Sequence, residues 1–600
     1  MKEVDKKTYL KMKSDDLKWA NQLLEYKLTD NRPGVMYRDI EPFTDLKDMI
    51  NKSCKKHSNN IAFYTKFEKG QEYQKITYKE LHSDVDALGT ALIKHKLKDK
   101  RIAVIGETNY TWSISYLSII CGTGIVVPID KELPYRDIKN IITETQASAV
   151  IFDEKREDIF IKMLEEKDTK LKVLISQTRK EKEGKVLSIY ELIEEGKKLI
   201  KEKDKSFINA QIDSQEMAVI LYTSGTTGLS KGIMLSHRNL CSNLLTSPAV
   251  LWVGEYEIFF SVLPIHHTFE CMANFLIPLS RGSAIAHCEG LKYITKNINE
   301  VHPTFMLIVP AILEALHKQV WKNAKKQGKE KKLKTALKLT KVSNKIHLDL
   351  SDKFFTDIKE SLGGHLRMII VGGAKINPEI LDDFKAFGFN ALQGYGLSEA
   401  SPFVAINPDT NPKSSSIGIP IPGTIAKIID PDENGIGEII VKSDSIMLGY
   451  YNNKKATDDV MIDGFFRTGD LGYIDKDGYI YITGRKKNVI ITKNGKNVFP
   501  EEIELQLLEY DEISEVMVFE GDSSNKDDTL IVANIYPNHD VYKDMSEDEI
   551  RISLSKIVDE VNSSNPTYKM IKKILLKHSE FEKNTSNKIK RYKEENKEEL

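Results

Sequence analysis

The sequence predicts an α/β protein, and three patterns carry that prediction. Up to about residue 310, apolar strand-like runs alternate with segments of helical spacing, which suggests parallel sheets covered by helices. After Ile417 the chain changes to short strands separated by turn signals, the mark of hairpins. Beyond about residue 486 a third pattern opens with strands and closes with a Lys-rich helix and tail.

Each element follows from a local pattern. TYKELHSDVDALGTALIKH places Leu81, Val85, Leu88 and Leu92 at helical spacing. RIAVIGE and SAVIFDE are short β-branched runs. The most apolar stretch, Trp112 to Ile129, is interrupted by Ser113, Ser115, Tyr116, Gly122, Gly124 and Pro128. It reads as a buried helix followed by a strand, not as a membrane span. MAVILYTSG runs a buried strand into a Gly/Thr/Ser loop, and LRMIIV runs a strand into GGAK. From Lys318 to Lys345 the chain is rich in lysine with one acid, Glu330, and Leu333, Ala336 and Leu337 share a helical face. That segment suits a solvated helix whose stems lie on the protein; a membrane-surface patch is the sharper alternative. DENG, DKDG and TKNG mark hairpin turns, and in DKDG the glycine falls too early for an EF-hand.

Composition narrows the function classes. The 600 residues are 40% hydrophobic and 29% charged, with a formal net charge of -1, as in ordinary globular proteins. No global field draws in nucleic acid or an acidic membrane. The length suits several packed units. Five scattered cysteines form no C-x-x-C pair, so zinc and redox motifs of that kind are absent and buried thiols in a reducing compartment are expected. The start, MKEVDKKTYLKMK, lacks the apolar core of a signal peptide, so a cytoplasmic protein is expected.

The chemistry centres on YTSGTTGLSKG, residues 222–232. Gly225, Gly228 and Gly232 allow backbone amides to curl around an anion. Thr223, Ser224, Thr226 and Thr227 add hydroxyls and Lys231 adds charge, a set that suits a polyphosphate. It is not a Walker A loop, because Ser230 and Gly232 flank the lysine. In QGYGLSE, Gly394 and Gly396 bring backbone close to a ligand and Tyr395 offers a flat face for a purine. Ser398 lies in the same motif, and Glu399 is a hard oxygen ligand that suits Mg²⁺. Gly373 and Ala374 follow a strand, where backbone can edge an adenine. The adjacent His266 and His267 are expected to point in different directions, with no third ligand beside them, which favours a pocket wall over a metal.

These motifs, in this order, resemble the adenylate-forming superfamily of acyl-CoA synthetases, luciferases and peptide-synthetase adenylation domains. The likeness also includes LPIHHTFE (263–270), GEIIVKSDSIMLGYY (437–451), FRTGDLGYIDKDG (466–478) and GRKKNVIITKNGKNVFPEEIE (484–504), and spans roughly residues 45–591. The resemblance implies a large N-terminal domain, 1–486, of stacked mixed sheets with helices plus a β-barrel-like subdomain. It also implies a small mobile α+β domain, 487–600, hinged near Lys487. Thr223 and Glu399 would hold Mg²⁺, Asp470 the ribose, Arg485 the ribose or phosphate, and His267 would lie near the acyl carboxylate. Lys588 would be the catalytic lysine, although EKNTSNKIKR lacks the proline, threonine and glycine usual around it. Asn488 likewise replaces an aspartate common at the hinge. Gly495 would line the channel for the thiol of coenzyme A. The implied reaction uses ATP to turn a carboxylic acid into acyl-AMP, releasing pyrophosphate, and then forms acyl-CoA. The lysine-rich insertion and the EKNTSNKIKRY ending look most like long-chain fatty acyl-CoA ligases, so a medium- to long-chain fatty acid is expected. An acyl carrier protein as acceptor, or an aryl acid as substrate, is the alternative.

Overall fold

Helix starts in this chain are set by short polar side chains. Thr77 caps the helix Tyr78–Lys94: the Glu80 amide donates to the Thr77 hydroxyl at 3.2 Å, and the Thr77 amide donates to the Glu80 carboxylate at 2.8 Å. Leu81, Val85, Leu88 and Leu92 are buried along one face of it. The side of this helix at Ala87 packs on the helix Ile189–Lys201, where Gly196 admits the other backbone; a Cβ there would stand 1.8 Å from the Ala87 carbonyl oxygen. The apolar stretch forms the buried helix Tyr110–Ser118, one wide π turn and the strand Gly124–Ile129.

The computed structural model describes residues 4–25, 40–223, 231–344, 346, 348–492, 496–521, 529–543, 545–583 and 588–598. Among these, the strands form two large mixed sheets and three smaller ones. In the eight-stranded sheet, Lys100–Ile105, Gly124–Ile129, Ala149–Phe152, Val173–Ser176, Val186–Ser188 and Met217–Thr223 run parallel. Lys231–Ser236 and Gly449–Tyr450 close one edge antiparallel. The nine-stranded sheet has a parallel centre that includes Ile258–Ser261, Phe305–Ile308, Met368–Val371 and Asn390–Gly396, with antiparallel strands at both edges. One apolar core takes residues from both large sheets, among them Phe63, Ile102, Val126, Leu221, Phe259 and Phe305.

A five-stranded antiparallel sheet stands where the barrel-like subdomain was expected. DENG links Ile425–Ile429 to Gly437–Lys442, and DKDG links Phe465–Ile474 to Ile480–Arg485, both as hairpins. Beyond them Ile490, Val498, Ile503, Val518, Leu554 and Leu576 belong to a separate apolar core. There the antiparallel pair Ile513–Gly521 and Leu530–Pro537 is joined in parallel by Lys573–Leu576. The long helix of this part, Glu547–Ser563, precedes that last strand, so the expected closing Lys-rich helix is absent among the described residues. The tail is held by ion pairs and one short bridge, Lys583 with Ile589. The lysine-rich segment forms the helices Pro310–Lys326 and Glu330–Asn344, and Leu333 and Leu337 are buried, as their spacing predicts.

Two core histidines are buried as neutral rings. His237 Nδ1 accepts from the Leu46 amide at 3.3 Å, and burial lowers its pKa to about 4. His287 stacks on Phe63 with ring centres 5.2 Å apart, and burial lowers its pKa to about 3. Between those values and the ordinary histidine value the unfolded chain binds more protons than the native one, so stability falls as pH drops below about 6.5. The thermal midpoint is therefore expected to fall between pH 7 and pH 5, and His237→Asn to flatten that slope. A slope identical in the variant would contradict the assignment.

Candidate functional site

The described ends of YTSGTTGLSKG, Thr223 and Lys231, belong to two paired strands. Met217–Thr223 and Lys231–Ser236 pair antiparallel with Thr223 opposite Lys231, so the loop between them leaves and returns at one point. Ser224, Gly225, Thr226, Thr227 and Gly228 lie outside the described residues. The chain at 447–451 is zipped onto this hairpin: the Leu448 amide donates to the Met234 carbonyl and the Tyr451 amide to the Gly232 carbonyl. Tyr450 is thereby placed between two candidate groups. The Lys231 ammonium stands 4.8 Å from its ring centre, and its hydroxyl donates to Glu399 Oε1 at 2.9 Å. Burial, and then the Glu399 carboxylate, push the Tyr450 pKa far up, so it remains a donor. Thr223, Lys231 and Glu399 are thus linked through one tyrosine that sequence reasoning did not single out, although GYY marked its place.

The second half of the site is built on Asp470. Its strand, Phe465–Ile474, pairs with Ile480–Arg485, which sets Arg485 opposite Asp470. Arg485 Nε lies 3.0 Å from Asp470 Oδ1, and the Tyr395 hydroxyl donates to Oδ2 at 2.5 Å. The Asp470 amide donates to the Thr468 hydroxyl at 3.1 Å, and the side chain is buried. Burial, then the Asp470 charge, hold the Tyr395 pKa well above the usual tyrosine range. Lys588 belongs to the same electrostatic cluster. Desolvation in the cleft, followed by the Arg485 guanidinium, lowers its pKa, and Asp470 opposes the shift. Much of the Lys588 surface is open to water, and crowding at the ammonium end is the part that governs its basicity.

The tail that carries Lys588 is fixed by its neighbours. Lys583 pairs with Glu515 and Glu580, Lys590 with Glu582 at 2.6 Å, and Arg591 with Glu504. Lys583 therefore serves the tail, and Lys588 is the lysine whose charge is felt together with Arg485 and Asp470. At the expected hinge, Asn488 Nδ2 donates to Glu501 Oε1 at 2.6 Å, a bond that an ionised aspartate there could not donate. Lys487 has its pKa lowered to about 8, by burial first and then by Arg485 and Arg591. Gly495 lies outside the described residues; beside it Lys496 pairs with Glu433.

Two expectations about QGYGLSE and HH change. The missing Cβ of Gly396 faces its own chain and not a ligand: a Cβ would stand 2.0 Å from the Pro402 carbonyl oxygen. At Gly394 a Cβ would make only an ordinary contact, 3.6 Å from the Ala405 carbonyl oxygen. Gly373 adopts φ +85°, a left-handed turn that glycine favours, and it is exposed together with Ala374. The two histidines do not point apart. They occupy a turn, where successive side chains can converge, and their ring centres are 4.2 Å apart. A third residue, Asp130, joins them, with Oδ2 3.5 Å from His266 Nε2. Burial, and then His266, lower the His267 pKa to about 3, and Lys588 acts in the same direction. It is therefore an uncharged ring at neutral pH.

An apolar pocket opens beside this turn, lined by Tyr116, Leu221, Leu240, His266, Thr268 and Cys271. The Thr268 and Ser398 hydroxyls share a hydrogen bond of 3.0 Å, which ties the pocket to the turn that follows the strand Asn390–Gly396. Tyr116 is held by a stack on Trp112 at 5.5 Å and an edge contact with Phe275 at 5.8 Å. The buried Glu270 was also missed. It accepts from Ser261 and Asn274, each at 2.6 Å, and burial pushes its pKa up to about 8. It pins the helix carrying Cys271 to the strand end at Ser261. No sequence signal beyond LPIHHTFE marks it.

Comparisons with known proteins bear on this arrangement. A family model described as AMP-binding enzyme matches residues 50–451, and one described as AMP-binding enzyme C-terminal domain matches residues 487–597. A long-chain-fatty-acid–CoA ligase of Mycobacterium bovis is 27% identical over 461 residues, 74% of this chain and 75% of the ligase. Long-chain-fatty-acid–CoA ligase 6 of Rattus norvegicus is 27% identical over 505 residues, 78% of this chain and 71% of its own. ATP-bound MatB from Rhodopseudomonas palustris superposes with a TM-score of 0.71 at 24% identity, covering 91% of this chain and 97% of MatB. The anthranilate CoA ligase AuaEII with anthranoyl-AMP gives a TM-score of 0.72 at 19% identity, covering 94% and 98%. At such identities the structural likeness speaks for the fold.

Proposed function

The chain belongs to the AMP-binding enzyme family as an adenylate-forming acid–CoA ligase that works with ATP, Mg²⁺ and coenzyme A, and from that premise we propose that its acid is a medium- to long-chain fatty acid. The relatives named as long-chain-fatty-acid–CoA ligases support this reading. The observation that carries the site assignment is the cluster of Asp470, Tyr395, Arg485 and Lys588.

A carboxylate is a poor electrophile because its leaving group would be oxide. Attack of the acid on the α-phosphorus of ATP, with pyrophosphate leaving, gives a mixed anhydride that a thiol can open. Such a transfer depends on positioning and charge neutralisation. Asp470 accepts from the ribose hydroxyls, which take over the donor roles that Tyr395 and Arg485 fill toward it. Lys588 sets a cation against the transferring phosphoryl group and the acid, and the uncharged His267 faces the same space without competing for the carboxylate. The donors Thr223 and Glu399 are hard oxygens, so they fit Mg²⁺, which would neutralise phosphate charge when bound. Tyr450 holds the Glu399 carboxylate in place.

The small domain, 487–600, then turns about Lys487, so that Lys588 leaves and the Gly495 hairpin enters. A separate apolar core beyond residue 486, with polar links to the larger part such as Lys496 with Glu433 and Asn377 with Glu509, supports a body that can detach. We assign the lysine-rich insertion to contact with anionic lipid. Its helix exposes Leu339 and Val342 beside Lys331, Lys332, Lys334 and Lys338, an apolar strip among cations. No helix among the described residues is long and apolar enough to cross a membrane, so contact would be peripheral, and a cytoplasmic location accords with the reducing environment the cysteines suggest.

Neutralising Lys331, Lys332 and Lys334 is expected to weaken co-sedimentation with anionic vesicles at low salt, while turnover of a soluble medium-chain acid stays near wild type. Vesicle binding that is unchanged would leave the helix as a solvated face.

The two half-reactions are expected to separate by mutation. Lys588→Ala removes a cation from the phosphoryl-transfer state, so pyrophosphate release with a fatty acid should fall by about 10²–10³. The same variant should still convert supplied acyl-AMP to thioester. Gly495→Leu should do the reverse, forming adenylate and failing at the thiol step, because a side chain blocks the channel. Equal loss of both half-reactions in both folded variants would overturn the rotating-domain scheme. Faster release with an aryl acid than with any fatty acid would overturn the substrate assignment.

A further inference from the structure

The turn at His266 and His267 belongs to the loop that follows the strand Ile258–Ser261 of the nine-stranded sheet, and Asp130 directly follows the strand Gly124–Ile129 of the eight-stranded sheet. The two sheets thus deliver one carboxylate and two imidazoles to the same point, and their ligand atoms all lie within 4.8 Å of one another. We propose that Asp130, His266 and His267 form a binding site for a transition-metal dication of the zinc class, distinct from the Mg²⁺ pair Thr223 and Glu399.

The donor chemistry and the distances both favour such an ion. Two imidazoles with one carboxylate suit zinc and its neighbours, whereas Mg²⁺ selects oxygen donors. Bonds of about 2.0–2.2 Å around a tetrahedral ion put its ligand atoms roughly 3.4 Å apart. Asp130 Oδ2 and His266 Nε2 already stand 3.5 Å apart. The remaining separations, at most 4.8 Å, close by roughly an ångström or more through rotation of an imidazole about its own side-chain bonds. His266 is only 6% exposed, and its Nε2, directed at Asp130, makes no hydrogen bond. A buried polar atom left in that state is costly, and a metal bond would satisfy it.

Three protein ligands leave a fourth position open. That position borders the apolar pocket, which His266 and Thr268 both line, and the Lys588 charge is felt at His267 beside it. An ion there would capture the acid's carboxylate and set a second cation against Lys588. Zinc should therefore inhibit by holding the acid's carboxylate away from the α-phosphorus, and excess acid should not relieve the inhibition. The inhibition rests on the ligase reading; the metal site does not.

Titration of the full chain, freed of metal, with Co²⁺ tests the site directly. The expected result is one equivalent bound with the intense visible absorption of a tetrahedral cobalt ion, displaced by Zn²⁺ and untouched by excess Mg²⁺. Asp130→Asn and the near-isosteric His266→Gln should each weaken Co²⁺ binding about tenfold or more. A weak octahedral spectrum, or equal affinity in wild type and both variants, would overturn the proposal. Tight tetrahedral binding in a protein that shows no ATP–pyrophosphate exchange with any acid would leave the metal site standing and refute the ligase reading instead.

Discussion

The Asp470 carboxylate is the constraint on which the rest of the site depends. It is buried, it takes the Tyr395 hydroxyl on one oxygen and Arg485 on the other, and its charge opposes the lowering of the Lys588 pKa. A buried carboxylate must be matched by donors or cations, because an unpaired one is expensive. Matching it here joins three separate pieces of chain: a strand of the nine-stranded sheet, the antiparallel sheet and the tail. These donors are also of the kind a ribose would replace, since two vicinal hydroxyls can supply the same two hydrogen bonds. The geometry that satisfies this carboxylate is thus one that a pair of ribose hydroxyls could take over.

The phosphate side follows a parallel logic with different parts. A hairpin returns Lys231 to Thr223, and a backbone zipper lays Tyr450 over that hairpin. Tyr450 then fixes Glu399, which comes from another sheet. The acid side is set by a turn that brings His266, His267 and Asp130 together, and by Thr268 bonded to Ser398. Thr223, Tyr395 and Asp130 lie at or just past the carboxyl ends of their strands, the usual place for ligands in open α/β sheets.

The parts legible in the sequence were those with a local cause. Helical spacing put Leu81, Val85, Leu88 and Leu92 on a buried face, and DENG and DKDG gave the hairpins expected. Asp470 and Glu399 stood out because their motifs are contiguous. What escaped had a non-local cause. Asp130 lies 136 residues before His266, as their numbers show, so the cluster exists only once two sheets pack. Gly396 looked like a ligand contact, but its space is taken by the Pro402 carbonyl after a turn that sequence does not display. The expected divergence of His266 and His267 holds for a strand, whereas they lie in a turn. The tail read as helical from its lysines, and ion pairs with Glu515, Glu582 and Glu504 hold it in irregular form instead.

The most direct measurement is calorimetric titration of ATP into wild type and Asp470→Asn without acid or coenzyme A. Hydrogen bonds to a charged acceptor contribute about 1.5–3 kcal/mol each. The predicted result is an ATP affinity lowered about tenfold or more, at about 1.4 kcal/mol per factor of ten, in a variant that melts within a few degrees of wild type. An ATP affinity unchanged in a folded Asp470→Asn would contradict the central place given to this carboxylate.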